Sequence, residues 1–177
     1  MNFCKIINCD TANGEGLRVT LFVSGCEHHC NGCFNPETWN PCFGKPFTEE
    51  IAEKIYELLQ EPYIQGLTLL GGEPMMPYNQ PALVSLLRQV RDKFPDKDIW
   101  VYSGFRFEEL TGVEESFGRC ECTDKFLSLI DVLVDGRFVL EQKDLTLKFR
   151  GSRNQRILDV PASLKTGKAV TRKPFQV

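Results

Sequence analysis

Residues 67–104 read LTLLGGEPMMPYNQPALVSLLRQVRDKFPDKDIWVYSG, and this stretch decides the fold. Residues 67–70 are a short apolar run closed by Gly71-Gly72, as expected of a buried strand ending in a turn. Over residues 81–94, Leu83, Leu86, Leu87, Val90 and Phe94 recur at helical spacing behind a proline suited to a first turn. Residues 99–102 then give another strand, ending at Ser103-Gly104. Strand, helix and strand in that order predict a parallel pair joined by a right-handed crossover.

The same alternation extends outward. Upstream, residues 17–23 are β-rich and end at Ser24-Gly25, and residues 48–60 place Ile51, Ile55, Leu58 and Leu59 on one helical face behind a Thr48 N-cap. Downstream, residues 108–118 are weakly helical and residues 131–135 read as a buried strand stopped by Gly136. The predicted class is α/β: a partial (βα) barrel or an open, curved, mostly parallel sheet flanked by helices. About four parallel strands are too few for a closed eight-stranded barrel, so something else must cover the open side. In such sheets the loops at the carboxyl ends of the strands line one rim, where ligands bind. That rim would collect residues 26–33, Gly71-Gly72-Glu73-Pro74, Ser103 and Asp135.

A chain of 177 residues suits one domain over residues 1–177, without internal repeats or long linkers. Its 42% hydrophobic content and net charge of -3 argue against a disordered, membrane or nucleic-acid-coating protein. No apolar run approaches the ~20 residues that span a bilayer, and the first ten residues lack a basic and then apolar export pattern. The expected location is the cytoplasm. Eight cysteines, three of them within eight residues, then fit reduced thiolates kept for a metal better than a secreted disulfide scaffold.

Residues 26–33, Cys26-Glu-His-His-Cys30-Asn-Gly-Cys33, place three soft ligands in one short loop. Such a set suits an iron–sulfur cluster, and three thiolates leave one iron of a four-iron cluster open to a substrate. His28 and His29, the chain's two histidines, also allow a Cys3His zinc site, although structural zinc sites usually join two separated pairs. Ordinary buried cysteines are the third reading, weakened by the absence of a surrounding apolar run.

The cysteine spacing resembles that of the radical S-adenosylmethionine superfamily. Longer stretches are similar to the activating proteins of anaerobic ribonucleoside-triphosphate reductase: Asn13-Gly14 with Gly16 and Arg18, residues 21–26, 35–39, 98–102 and 132–136, and Phe149-Arg150-Gly151-Ser152 with Asn154-Gln155. The likeness implies a 4Fe-4S cluster on Cys26, Cys30 and Cys33, whose open iron chelates the methionine moiety of S-adenosyl-L-methionine. Reductive cleavage would give a 5'-deoxyadenosyl radical that makes a glycyl radical on the reductase. The implied partners are that reductase and an electron donor such as a flavodoxin, with neither nucleic acid nor membrane.

Residue by residue, Gly71, Gly72, Glu73 and Pro74 resemble the segment that holds the methionine ammonium, although a strand-end turn would look the same. Gly32 stands before the third cysteine, where the superfamily often has an aromatic residue near the adenine; Phe34 is the expected substitute contact, beside Cys33. Ser103, Asp135 and Asn154 match positions around the cofactor or a nearby cation, and each also has a bland reading as a turn cap, strand end or Asx-turn. Arg150, Arg153 and Arg156 form a basic cluster facing the cofactor, a partner or solvent, and Cys4, Cys9, Cys42, Cys120 and Cys122 read as ordinary thiols. Rival functions are activation of another glycyl-radical enzyme such as pyruvate formate-lyase, radical chemistry on a free metabolite, and a non-catalytic iron–sulfur or zinc module.

Overall fold

The computed structural model describes residues 1–173. Its frame is one open seven-stranded sheet. The strands are β1 (Asn2–Asp10), β2 (Leu17–Val23), β3 (Lys45–Pro46), β4 (Ile64–Gly71), β5 (Asp98–Ser103), β6 (Val132–Asp135) and β7 (Arg156–Asp159), in the order β3-β1-β2-β4-β5-β6-β7. The strands β2, β4, β5 and β6 run parallel, as the sequence predicts, with register partners such as Leu21↔Leu69, Leu69↔Val101 and Val101↔Leu133. The hydrophobic pattern does not disclose the antiparallel flanks: β1 on β2, β3 on β1, and β7 on β6. With β3 and β7 at the two edges the sheet does not close into a barrel.

Among the described residues five α-helices accompany it: α1 (Glu49–Leu59), α2 (Gln80–Lys93), α3 (Phe107–Leu110), α4 (Thr123–Leu127) and α5 (Val160–Thr166). Thr48 has the extended backbone of an N-cap, but its side chain makes no capping bond; Glu49 and Glu50 in the first turn favour that helix end instead. The expected helix over residues 108–118 shrinks to the four residues of α3. Gly112, at φ 79°, turns the chain out of the helix, and Val113 beyond it is exposed, so no apolar face exists to continue it. No helix among the described residues is long and apolar enough to cross a membrane.

Both faces of the parallel strands are buried, which is why they read as nearly continuous apolar runs. Leu21, Leu69, Val101, Leu133 and Leu158 belong to the main core, together with Ile55 and Leu59 of α1 and Leu83, Leu87 and Val90 of α2. Trp100, Val132 and Val134 form a separate cluster with Tyr102, Phe149 and Ile157. Arg18 is buried in the sheet next to Trp100: its Nη1 meets Asp98 at 2.6 Å, its Nε donates to Thr68 Oγ1 at 2.7 Å, and its Nη2 donates to the Leu67 carbonyl at 2.9 Å. Its guanidinium stands 5.4 Å from the Trp100 ring, and Arg172, paired with Glu15, approaches the same ring at 5.6 Å. Polar packing thus fills the half of the sheet where β5 begins.

Removing one partner of a buried ion pair costs about 3–5 kcal/mol. Asp98 keeps 19% of its side-chain surface, which puts Arg18→Met at the lower end of that range, about 3 kcal/mol. Urea unfolding should read this loss; a change below about 1 kcal/mol would mean that Asp98 is solvated well enough without the guanidinium.

Candidate metal centre

The cysteine loop leaves the end of β2 and is closed at its base by two backbone bonds. Gly25 N donates to Thr38 O at 2.7 Å and Cys26 N to Trp39 O at 3.1 Å, joining it to the short 3-10 turn Pro36–Trp39. Within the loop, Cys33 N donates to Cys30 O at 3.1 Å, and Asn35 N donates to Cys33 Sγ at 3.4 Å. The amides of His28 and His29 donate to the Cys26 sulfur, and the amide of Phe138 donates to that of Cys30. Burial, followed by the negative charge of Glu73, pushes the Cys26 thiol up to about 12; burial also raises Cys30.

The end of β4 is strapped across this base. Gly72 N donates to Val23 O at 2.7 Å and Glu73 N to Gly25 O at 2.8 Å. A Cβ at Gly72 would sit 2.7 Å from the Gly25 carbonyl oxygen, so the close approach of the two backbones requires glycine. The Glu73 carboxylate is buried and fully engaged. Ser103 Oγ at 2.9 Å and Met75 N at 2.8 Å donate to Oε1, and Gly104 N at 2.6 Å and His28 Nε2 at 3.1 Å meet Oε2.

These segments surround a cavity of about 520 Å³ at the carboxyl edge of the parallel strands. It is bordered by Cys26, Cys30, Cys33, Phe34, Gly71, Gly72 and Glu73, so most of the residues singled out from the sequence meet in one place. Gly32 instead lies in the exposed part of the loop near Leu140, and Pro74 is buried beside the strap. Sequence reading missed Tyr102, Phe138, Phe149 and Gln155, which also line the cavity. Alternation along β5 was the available signal for Tyr102, which shares a face with Trp100. The others come from the irregular segment after β6: Phe149 and Gln155 stand in a stretch that carries the family likeness, and Phe138 had no signal.

Asp135 and Asn154 do not border this cavity but a neighbouring one of about 370 Å³, with Gly104 and Gly136 common to both. Asp135 lies opposite Arg156 in the β6–β7 register and is fully buried. Its Oδ1 accepts from Arg156 Nε at 2.9 Å; its Oδ2 accepts from Arg156 Nη2 at 2.5 Å and from Phe107 N at 2.8 Å. A guanidinium thus stands where the sequence suggested a cofactor or cation contact. Asn154 Nδ2 donates to the Arg137 carbonyl at 2.8 Å. The basic cluster also disperses: Arg150 Nη1 donates to Gln155 O at 2.7 Å beside the first cavity, Arg153 pairs with Asp144, and Arg156 pairs with Asp135 and Glu108.

The donor set fits an iron–sulfur cluster. Buried thiols beside a carboxylate become thiolates more readily when positive charge joins them, as iron held by these cysteines would provide. Among the described residues no three His, Cys, Asp or Glu side chains form a compact group able to hold a metal ion. For the Cys3His zinc arrangement, His28 has its Nε2 engaged by Glu73 while its Nδ1 has no partner among the described residues, and the His29 ring packs 4.7 Å from that of Trp39. A cluster of 4Fe-4S type would take Cys26, Cys30 and Cys33 as its ligands.

Residues 12–158 match the sequence family described as a 4Fe-4S single cluster domain, which defines the class of the site. The anaerobic ribonucleoside-triphosphate reductase-activating protein of Enterobacteria phage T4 is 41% identical over 159 residues, covering 89% of this chain and 93% of the relative. Those of Vibrio cholerae serotype O1 and Escherichia coli K12 are 43% and 41% identical over 157 residues, covering 88% of this chain and 96% of each relative. The chain belongs to this family of reductase-activating proteins, within the 4Fe-4S single cluster domain class.

Asp135 and Glu108 share one cation, so Arg156→Met should cost about 3–5 kcal/mol by leaving a buried carboxylate unpaired. The hydrogen bond from Arg156 is the main cause holding Glu108 below its ordinary value of 4.5. A depressed carboxylate contributes stability above its unfolded value and loses it as the pH falls through its folded value. In the variant that part of the acid-side loss should vanish, flattening the stability curve below about pH 4.5. Denaturant titrations across that range check it, and an unchanged acid limb would show that the Glu108 shift comes from elsewhere.

Proposed function

We propose that the chain works as a single domain over residues 1–177, in the cytoplasm, as a radical S-adenosylmethionine oxidoreductase that places a glycyl radical on a separate anaerobic ribonucleoside-triphosphate reductase. Its electron comes from a donor such as a flavodoxin. The observation that carries this reading is the gathering of Cys26, Cys30 and Cys33 with the Gly71-Gly72-Glu73 strap around one cavity, in a chain whose relatives are named as activators of that reductase. When bound, the 4Fe-4S cluster and S-adenosyl-L-methionine supply the reductive cleavage and the 5'-deoxyadenosyl radical.

The chain's own residues then have binding, orienting and water-excluding work. Cys26, Cys30 and Cys33 hold the cluster. Gly71 and Gly72 bring backbone close on the methionine side, and the negative charge of Glu73 favours an ammonium there. Phe34 offers an apolar face on the adenine side, while Gly32 stays in the exposed part of the loop and Pro74 fixes the exit of the strap. Asp135, held by Arg156, and Asn154, bonded to the Arg137 carbonyl, border the neighbouring cavity that shares Gly104 and Gly136, and their part is to shape that side of the site.

The cavity lies at an open sheet, and Phe34, which borders it, is exposed. A primary carbon radical reacts with whatever reaches it, so a docking protein that covers this edge serves the chemistry better than a small metabolite does. The reductase presents its glycine on a loop that must enter the cavity, and docking is accordingly transient.

Cys26→Ala, Cys30→Ala and Cys33→Ala should each abolish cluster content and 5'-deoxyadenosine formation, whereas Cys120→Ala, whose thiol bonds Gln80, should retain both. Iron and sulfide analysis of anaerobic protein reads the first effect and product chromatography the second. Reduced protein mixed with S-adenosylmethionine and the reductase should give a glycyl doublet in electron paramagnetic resonance, absent when the radical-site glycine is changed to Ala. Vigorous cofactor cleavage with no doublet, and a free metabolite consumed instead, would sink the protein-substrate reading.

A further inference from the structure

His28 sits between two of the three cysteines, yet its side chain is only 2% exposed and points its bonding away from them. Its Nε2 lies 3.1 Å from Glu73 Oε2, and since a carboxylate offers only lone pairs, Nε2 is the donor. The ring stands edge-on to Phe105, 4.4 Å between centroids, and 5.8 Å from Phe117. On a further side it meets the backbone of Gly104, where an added Cβ would fall inside the ring's van der Waals envelope. The other donors to Glu73 are Ser103 Oγ, Gly104 N and Met75 N. A continuous path therefore runs from the cysteine loop through one imidazole and one carboxylate to the end of β5 and the start of the strap after β4.

We propose that His28 is a positioning residue: it fastens the cysteine loop to the ends of β4 and β5 through Glu73, so that the three thiols and the strap are held in one geometry. What the loop holds rests on the function proposed above, but the fastening involves only the chain's own residues. The imidazole does two separable things. Its ring fills the space between Phe105, Phe117 and Gly104, and its N–H supplies one of the bonds to a buried carboxylate. A phenylalanine keeps the first and loses the second; a glutamine keeps an N–H donor and loses most of the ring.

Hydrogen exchange of the backbone amides over residues 26–34, measured in the full-length apo protein, reads the fastening directly. Loss of a bond to a buried charge should raise exchange there roughly ten- to a hundredfold in His28→Phe, with the amides of β2 and α2 unchanged. His28→Gln should recover most of the protection. Gly104→Ala, which displaces the ring without changing any residue of the cysteine loop, should reproduce His28→Phe, and it decides the matter where His28→Phe does not fold. Because His28 and Glu73 act through one contact, His28→Phe combined with Glu73→Gln should exceed the larger single effect by less than about threefold. In protein loaded anaerobically with iron and sulfide, the same variants should lose iron faster to a chelator, in the same order. Wild-type exchange in both His28→Phe and Gly104→Ala, or fully multiplicative effects in the double variant, would overturn the fastening. If wild-type protein takes up no cluster, the functional reading falls while the exchange result still judges His28.

Discussion

The Glu73 carboxylate is the point on which the separate pieces of this molecule converge. Taking an ionised carboxylate out of water is costly, and only a full complement of donors offsets it. Glu73 receives an amide from its own strap, a hydroxyl and an amide from the end of β5, and an imidazole from the cysteine loop. Those donors become available together only when β4 and β5 are paired in register and the loop after β2 has folded back over them. Asn79 supports the same junction from the N-terminal end of α2, donating to the carbonyls of both Ser24 and Glu73 at 3.0 Å. A partly satisfied version of this network would be worse than an apolar one, so its formation is bound to the correct topology.

The sheet supplies the other half of the constraint. Parallel strands covered on both faces leave ligands little room except at their carboxyl ends, where the connecting loops separate. Here the half of the sheet near the start of β5 is closed by Arg18, Trp100 and Arg172, with Phe149 packed 5.6 Å from the Trp100 ring. Phe22, Leu70 and Tyr102 lie further along the same strands and line the cavity. The position of the cavity follows from which half of the sheet is filled, and the polar plug around Arg18 is what fills the other half.

The parallel strands and the cysteine loop were legible in sequence because each rests on a local signal: an apolar run closed by glycine or serine, a helix at 3.6-residue spacing, three thiols in one turn. The flanking strands were not. Along β1 the exposed and buried positions follow no simple alternation, with register shifts after Phe3 and Ile7, and β7 has only four residues. Both are strands because of what they pair with, which no local window contains. Asp135 shows the same limit at the site. Its place at the end of a buried strand marks it as a functional candidate, but the cation it meets lies 21 residues later, across an antiparallel register unseen in the sequence. Glu73 was singled out as a cofactor-binding candidate because residues 71–74 resemble a superfamily segment, while the saturation of its carboxylate was not legible, since three of its four donors come from distant parts of the chain.

Glu73 also sets a tension within the site. Its charge holds the cysteine loop in place through His28, and the same charge, added to burial, pushes the Cys26 thiol up to about 12. The amides of His28 and His29 work in the opposite direction by donating to that sulfur. Without a cation beside it, that balance favours the protonated thiol at Cys26. Iron held by Cys26, Cys30 and Cys33 would favour their thiolate forms, and the Glu73 carboxylate would then lie beside positive charge rather than opposing a negative one. The arrangement thus disfavours a free thiolate while keeping the three sulfurs around a cavity that a cluster can enter, and the residue that enforces both conditions is the one that joins the strand ends.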